Sequence, residues 1–175
     1  KYKNGEIDLT EALVHLPKHG IEEMGFATID TDRKRRTGMP EVIYASGKTP
    51  EQVALIAERM FKSGIDVLAT RVTLEMIPAV KSVIPEAEYN ALAKTIVYQK
   101  TKEEEESRGY IAVVAAGTSD LPVAEEAAVT ARFLGNKVET IYDVGVAGIH
   151  RLFNRLEIIR NARVIIVVAG MEGAL

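Results

Sequence analysis

Three predicted strands in the last third of the chain, the first and last of them mainly apolar, constrain the fold most strongly. They are residues 110–115, 137–142 and 163–169, and the last has Val-Ile-Ile-Val-Val at its centre. Strands that are apolar along their whole length are typical of a parallel sheet covered by helices on both faces. The intervening residues 121–134 and 148–160 are therefore predicted to be covering helices.

A glycine-rich break follows each of these strands. The breaks are residues 116–120 (Ala-Gly-Thr-Ser-Asp), 143–151 (Asp-Val-Gly-Val-Ala-Gly-Ile-His-Arg) and 169–173 (Ala-Gly-Met-Glu-Gly). Parallel α/β sheets bind their ligands at the carboxyl ends of their strands. The sequence therefore predicts one ligand site, formed by the three breaks at the same edge of the sheet.

The first break offers groups that bind anions. Gly117 allows a sharp turn, Thr118 and Ser119 supply hydroxyls, and the start of the next helix supplies free N–H groups for a phosphate or carboxylate. Asp120 either caps that helix or binds sugar hydroxyls, and the sequence leaves both readings open. The spacing matches neither the P-loop nor the dinucleotide fingerprint.

The second and third breaks contribute a histidine, an arginine and a glutamate. Arg151 could clamp an anion and His150 could transfer a proton; alternatively His150 lies on the helix surface and Arg151 pairs with Asp143 or Glu157. Glu172 is either a general base that faces a closed pocket or an exposed loop acid.

The first hundred residues predict a smaller α/β unit. Its predicted strands are residues 26–30, 41–45, 66–71 and 94–98, and its predicted helices are residues 8–16, 49–63 and 73–83. Thr49 and Pro50 form the clearest helix start, because threonine caps and proline occupies the first helical position. Pro78 is expected to disturb the middle of its helix.

A charged segment with almost no apolar residue separates the two parts. We predict a small N-terminal α/β domain at residues 1–100, a linker at 101–109 and a second α/β domain at 110–175. A parallel strand at 163–168 needs a neighbour on each side. We therefore expect further chain or other subunits to complete the sheet.

The composition excludes several functions. The 175 residues contain no cysteine, so they form no disulfide or thiolate zinc site and supply no cysteine nucleophile. Three scattered histidines predict no metal site. The net charge of −3 argues against nucleic acid as a partner, and no apolar run is long enough for a membrane span, so a cytoplasmic location is expected.

Two basic positions are weaker candidates for substrate contacts. The segment Arg33-Lys34-Arg35-Arg36 is predicted to be a loop that binds a second phosphate or, more commonly, is simply solvated. Arg71, at the end of a predicted strand, contacts a ligand or forms a salt bridge.

The three breaks and their flanks resemble the LarB family of nickel-pincer cofactor biosynthesis, relatives of carboxyaminoimidazole ribonucleotide mutase (PurE). The matching runs are residues 116–127, 141–151 and 168–175, and in the N-terminal part 47–52 and 67–71. The resemblance implies an α/β fold: a three-layer parallel-sheet PurE-like domain, incomplete here, after a small α/β domain.

The resemblance implies an enzyme that carboxylates the pyridinium ring of nicotinic acid adenine dinucleotide at C5, using CO2 or bicarbonate, and hydrolyses the phosphoanhydride. Its products would be AMP and pyridinium-3,5-biscarboxylate mononucleotide, which feeds the cofactor of lactate racemase. It also implies a homo-oligomer, from dimer to octamer, and leaves open whether Mg2+ assists the hydrolysis.

The resemblance also implies roles for residues. Glu172 is the expected base, and Asp120 and His150 are further catalytic candidates. The substrate-binding candidates are Gly117, Thr118, Ser119, Gly145, Gly148, Arg151, Gly170, Met171 and Gly173, with Arg33, Arg36 and Arg71 as weaker ones.

One departure from the family is serious. Its nucleophilic cysteine lies downstream of the Gly-Met-Glu-Gly motif, and this sequence has no cysteine, so we do not expect the chain as given to complete the carboxylation. The alternatives are a mutase of purine biosynthesis and a nucleotide-binding module without catalysis.

Overall fold

The computed structural model describes residues 20–100 and 109–175. They divide into two compact units at Glu41–Val42. The predicted helix at residues 8–16 and nearly all of the predicted linker lie outside the described residues. The predicted domain boundaries, which fall at other positions, stay a prediction.

The first unit contains a hairpin and a short helix. Strand β1 (Ile21–Glu23) pairs antiparallel with β2 (Thr28–Asp30), and α1 (Arg33–Thr37) follows. The predicted strand at residues 26–30 is confirmed in its last three residues. The basic segment, in contrast, is helical and not a loop, because Arg35 pairs with Asp32 one turn earlier at 2.8 Å and Gly38 ends the helix in the left-handed region.

A four-stranded mixed sheet begins the second unit. Its strands, in the order β3-β4-β6-β5, are β3 (Ile43–Tyr44), β4 (Val67–Thr70), β6 (Thr95–Tyr98) and β5 (Glu88–Asn90). Strands β3 and β4 are parallel, and the other pairs are antiparallel. The predicted strands are confirmed with shorter bounds. Strand β5 was not predicted, since its three residues, Glu-Tyr-Asn, show no apolar alternation.

Two helices connect these strands. Helix α2 (Pro50–Lys62) starts as predicted: the Thr49 hydroxyl accepts the Gln52 N–H, and the Gln52 side chain accepts the Thr49 N–H. Helix α3 (Met76–Val83) starts three residues later than predicted. Pro78 therefore lies in its first turn, where no N–H is needed, so the expected disturbance in mid-helix is wrong.

The second sheet is parallel, as predicted. Its order is β8-β7-β9, formed by β7 (Ile111–Ala115), β8 (Val138–Ile141) and β9 (Val164–Val168). Helix α4 (Leu121–Phe133) follows β7, and the predicted helix at residues 148–160 is two short ones, α5 (Ile149–Phe153) and α6 (Leu156–Asn161). The α/β fold class is thereby confirmed.

Both faces of the central strand β7 are buried. Val113 and Ala115 pack on one face with Ala124 and Ala128 of α4. Ala112 and Val114 pack on the other face, with residues of α5 and α6 that include Leu152 and Ile158. The edge strand β9 differs: Val164, Ile165 and Val167 are 49%, 46% and 53% exposed. None of the described helices is long and apolar enough to cross a membrane.

The small residues of α4 let this helix lie close to the sheet. Ala128 is fully buried, so Ala128→Leu would overpack the contact with Val113 and should lower the free energy of unfolding by about 1–3 kcal/mol in urea titrations. Val123→Leu, at a position on the same helix that is 48% exposed, should change it by less than about 0.5 kcal/mol. Equal losses in both variants would contradict this packing.

Thr95 is fully buried in β6, and its hydroxyl finds no hydrogen-bond partner among the described residues. Because a buried polar group without a partner is costly, Thr95→Val should raise the free energy of unfolding by about 1 kcal/mol. Thr130→Val is the control, since the Thr130 hydroxyl donates to the Glu126 carbonyl at 2.7 Å. A gain for the control with none for Thr95→Val would refute the prediction.

Candidate functional site

The three breaks meet at the carboxyl edge of the parallel sheet, as predicted. We call them the first loop (residues 116–120), the second loop (143–148) and the third loop (169–173). The Ala116 N–H donates to the Val168 carbonyl at 3.0 Å, and the Ala116 carbonyl accepts the Gly145 N–H at 2.8 Å. The first loop is thus bonded to the end of β9 on one side and to the second loop on the other.

Position 145 has no room for a side chain. A Cβ at this position would lie 2.8 Å from the Ala116 carbonyl oxygen, closer than real Cβ contacts come. The φ of Gly145 is −59°, which any residue adopts, so the backbone conformation is no constraint here. The glycine serves the close approach of the second loop to the first.

Asp120 joins the first loop to the third. Its Oδ2 accepts the Gly117 N–H at 2.9 Å, and its Oδ1 accepts the Gly170 N–H at 3.0 Å. The side chain makes no capping hydrogen bond to α4 itself, but it accepts the N–H of Gly117, the N-cap of the 3₁₀ turn that leads into α4, so the helix-capping interpretation holds for that turn. A single 3₁₀ turn, Thr118–Asp120, precedes α4, and its geometry lets the carboxylate bond the N–H of Gly117 behind it.

The remaining candidates of these two loops are accessible to a ligand. Thr118, Ser119, Met171 and Glu172 are all exposed. Glu172 has a φ of 46°, in the left-handed region, and Gly173 follows with 68°. Of the two alternatives for Glu172, the described residues therefore place it as an exposed loop acid, two residues beyond the amide that Asp120 holds.

An ion pair joins the second loop to α5. Arg151 bonds the Asp143 carboxylate, so the salt-bridge alternative for Arg151 is confirmed. The pair is open to solvent, with the two side chains 39% and 51% exposed. The Arg151 side chain lies directly against Gly148, where a Cβ would be only 2.6 Å from the Arg151 Nε. His150 is exposed on α5.

The weaker candidates have other partners. Arg71 binds Glu126 of α4 through its Nε at 2.7 Å, as the salt-bridge alternative predicted. Arg36 pairs with Asp30 in the first compact unit, where Arg33 is exposed on α1. No bond among the described residues connects Arg71 to the three loops.

A polar network beside the second loop was missed at the sequence level. Glu125 of α4 accepts the Tyr142 hydroxyl at 2.7 Å and the Asn90 side-chain amide at 3.2 Å. Burial, together with the bond to Glu125, raises the pKa of the Tyr142 phenol above its ordinary value. Local sequence carries no signal of these contacts, because the partners are 17 and 35 residues apart.

Two further features concern metal ligands and the position of a cavity. No group of three metal-ligating side chains occurs in the part of the chain that the structure describes. A cavity of about 830 Å³ lies at the start of β8, beside Tyr89, Phe133 and Lys137, and contains none of the predicted site residues. The three loops and the first turn of α5 therefore offer two exposed hydroxyls, three carboxylates and one arginine, and two of those carboxylates are already bonded within the site.

The parallel sheet with helices on both faces makes this an α/β protein, and the carboxyl edge where its three loops meet is the edge at which proteins of this class bind their ligands. The family model described as LarB/PurE-like N-terminal domain matches residues 21–101. An uncharacterized protein of Methanocaldococcus jannaschii is 38% identical to this chain over an alignment of 184 residues. The alignment covers 99% of this chain and 71% of the relative. The chain belongs to the LarB family.

The close approach of the first two loops predicts a contrast between glycines. Gly145→Ala would push a methyl group against the Ala116 carbonyl and should lower the free energy of unfolding by about 1–3 kcal/mol. Gly117→Ala is the matched control, since its Cβ would lie 3.7 Å from the nearest atom and its φ is −133°. Urea unfolding in which the two variants are equally stable would contradict the contact.

Proposed function

We propose that the protein carboxylates nicotinic acid adenine dinucleotide with CO2 or bicarbonate and hydrolyses its phosphoanhydride in nickel-pincer cofactor biosynthesis. The products are AMP and pyridinium-3,5-biscarboxylate mononucleotide. Membership of the LarB family supports this proposal. The observation that carries it is that the three loops are hydrogen-bonded to one another at one sheet edge.

The chemistry divides between binding and proton transfer. The exposed hydroxyls of Thr118 and Ser119 suit a phosphate group. Arg151 can bind a second anion by exchanging Asp143 for it. Glu172, exposed two residues beyond the amide that Asp120 holds, would remove a proton from the ring.

Carboxylation at C5 requires electrons that an aromatic pyridinium does not offer. Addition of a thiolate to C4 makes the ring enamine-like, and C5 then forms a bond with CO2. Glu172 takes the C5 proton, the electron pair of that C–H bond restores the aromatic ring, and the thiolate leaves. The 175 residues include no cysteine, so the thiolate is not one of their groups.

A second function, binding of the nucleotide without turnover, is favoured for this sequence by the same lack of a cysteine. The 175-residue chain should then bind AMP or the dinucleotide at the three loops and release no product. The other proposed partners are further copies of the chain, from dimer to octamer. A cytoplasmic location stays a prediction.

The full-length natural protein, mixed with the dinucleotide and bicarbonate, should release AMP and a mononucleotide heavier by one carboxylate, detected by mass spectrometry. Glu172→Gln should slow carboxylation by about 10²–10⁴-fold, because it removes the base, while dinucleotide binding persists. Glu157→Gln, an exposed acid on α6, is the control and should match the natural protein.

The natural protein tests the proposed reaction, and Glu172→Gln tests which group is the base. If the natural protein yields neither product, the proposed reaction is wrong. If Glu172→Gln turns over as fast as the control, the reaction stands and another group is the base.

A further inference from the structure

The Asp120 carboxylate is shared by two loops that lie 50 residues apart in the chain. One oxygen accepts the Gly117 N–H and the other accepts the Gly170 N–H, so both oxygens are engaged by backbone. A Cβ on residue 170 would lie 3.1 Å from Asp120 Oδ1, so the carboxylate packs directly against the third loop. Hydrogen bonds to an ionised carboxylate are stronger than neutral ones.

The third loop is anchored at two points in the described structure. At its beginning, the Gly170 N–H bonds Asp120. Just beyond its end, Leu175 packs against the cluster that contains Val114 and Ile141. A turn closed by the Ala174 N–H and the Met171 carbonyl, 2.9 Å apart, lies between these anchors and includes Glu172. The position of Glu172 therefore depends on the bond that Asp120 makes.

We propose that Asp120 is a positioning residue, which holds the backbone of Glu172 against the first loop, and that it does not bind the ribose of the substrate. The inference rests on the proposed function for the role of Glu172. Binding a sugar hydroxyl in place of the Gly170 N–H would release the third loop, so the two roles compete for the same oxygen.

Asp120→Asn preserves the shape of the side chain but replaces one acceptor oxygen with an NH2 donor and removes the negative charge. One of the two backbone bonds is lost, and the other becomes a weaker, neutral bond, so the Gly170 N–H is held less strongly in either orientation of the amide. In the ligand-free protein, amide hydrogen exchange at residues 170–174 should become faster by about 10- to 100-fold, the factor for one charge-assisted bond. In the full-length protein, kcat for carboxylation should fall about 10-fold or more, while KM for the dinucleotide changes less than about 3-fold.

Asp66→Asn is the matched control, because Asp66 Oδ1 accepts a backbone N–H as well, from Lys100 at 3.0 Å, away from the three loops. It should leave exchange at residues 170–174 and both kinetic constants unchanged. Gly170→Ala approaches the same contact from the other side, since its methyl group would press on Oδ1. Gly170→Ala should also lower kcat, with only a small change in KM. It replaces Asp120→Asn in the test if that variant does not fold.

Unchanged exchange at residues 170–174 in Asp120→Asn, with a raised KM, would overturn the proposal and make Asp120 a ligand-binding residue. The exchange experiment needs no turnover. A natural protein without activity would therefore count against the proposed reaction, while the exchange rates would still decide whether Asp120 holds the third loop.

Discussion

The central place of β7 in the parallel sheet is the constraint on which the rest of the site depends. Because β7 pairs with β8 on one side and β9 on the other, the loops after all three strands leave the sheet at the same edge. Burial on both faces fixes the register, since a shift by one residue would exchange the residues that face α4 with those that face α5 and α6. The positions of the loops thus depend on packing in the two hydrophobic clusters that cover the sheet.

Local signals explain what could be predicted from the sequence. The apolar runs of β7 and β9 indicated parallel strands, because a strand covered on both faces is mostly apolar. Strand β8 is more polar and was predicted from its place between two helices. The threonine–proline start gave helix α2, since capping depends on neighbouring residues only. The site was predicted in the same way, because a glycine-rich break after a buried strand needs no knowledge of distant parts of the chain.

Contacts between distant residues explain what could not be predicted. The sequence offered Asp120 as a cap or a sugar ligand, and only its local bond to the Gly117 N–H could be expected from that. Its second partner, the Gly170 amide, is 50 residues away. The bonds of Glu125 to Tyr142 and Asn90 likewise depend on the tertiary fold. The salt bridge of Arg151 was foreseen as an alternative because Asp143 lies in the same glycine-rich break, residues 143–151. The polar strand β5 is recognisable only by its pairing with β6.

The exposed edge of the parallel sheet has a practical consequence. Strand β9 pairs with β7 alone among the described strands, and its apolar side chains are about half exposed. Such an edge offers unpaired backbone donors and acceptors to any other extended chain. A preparation of these 175 residues alone should therefore tend to aggregate through this strand as its concentration rises, and charged substitutions at Ile165 or Val167 are the rational means of keeping it in solution.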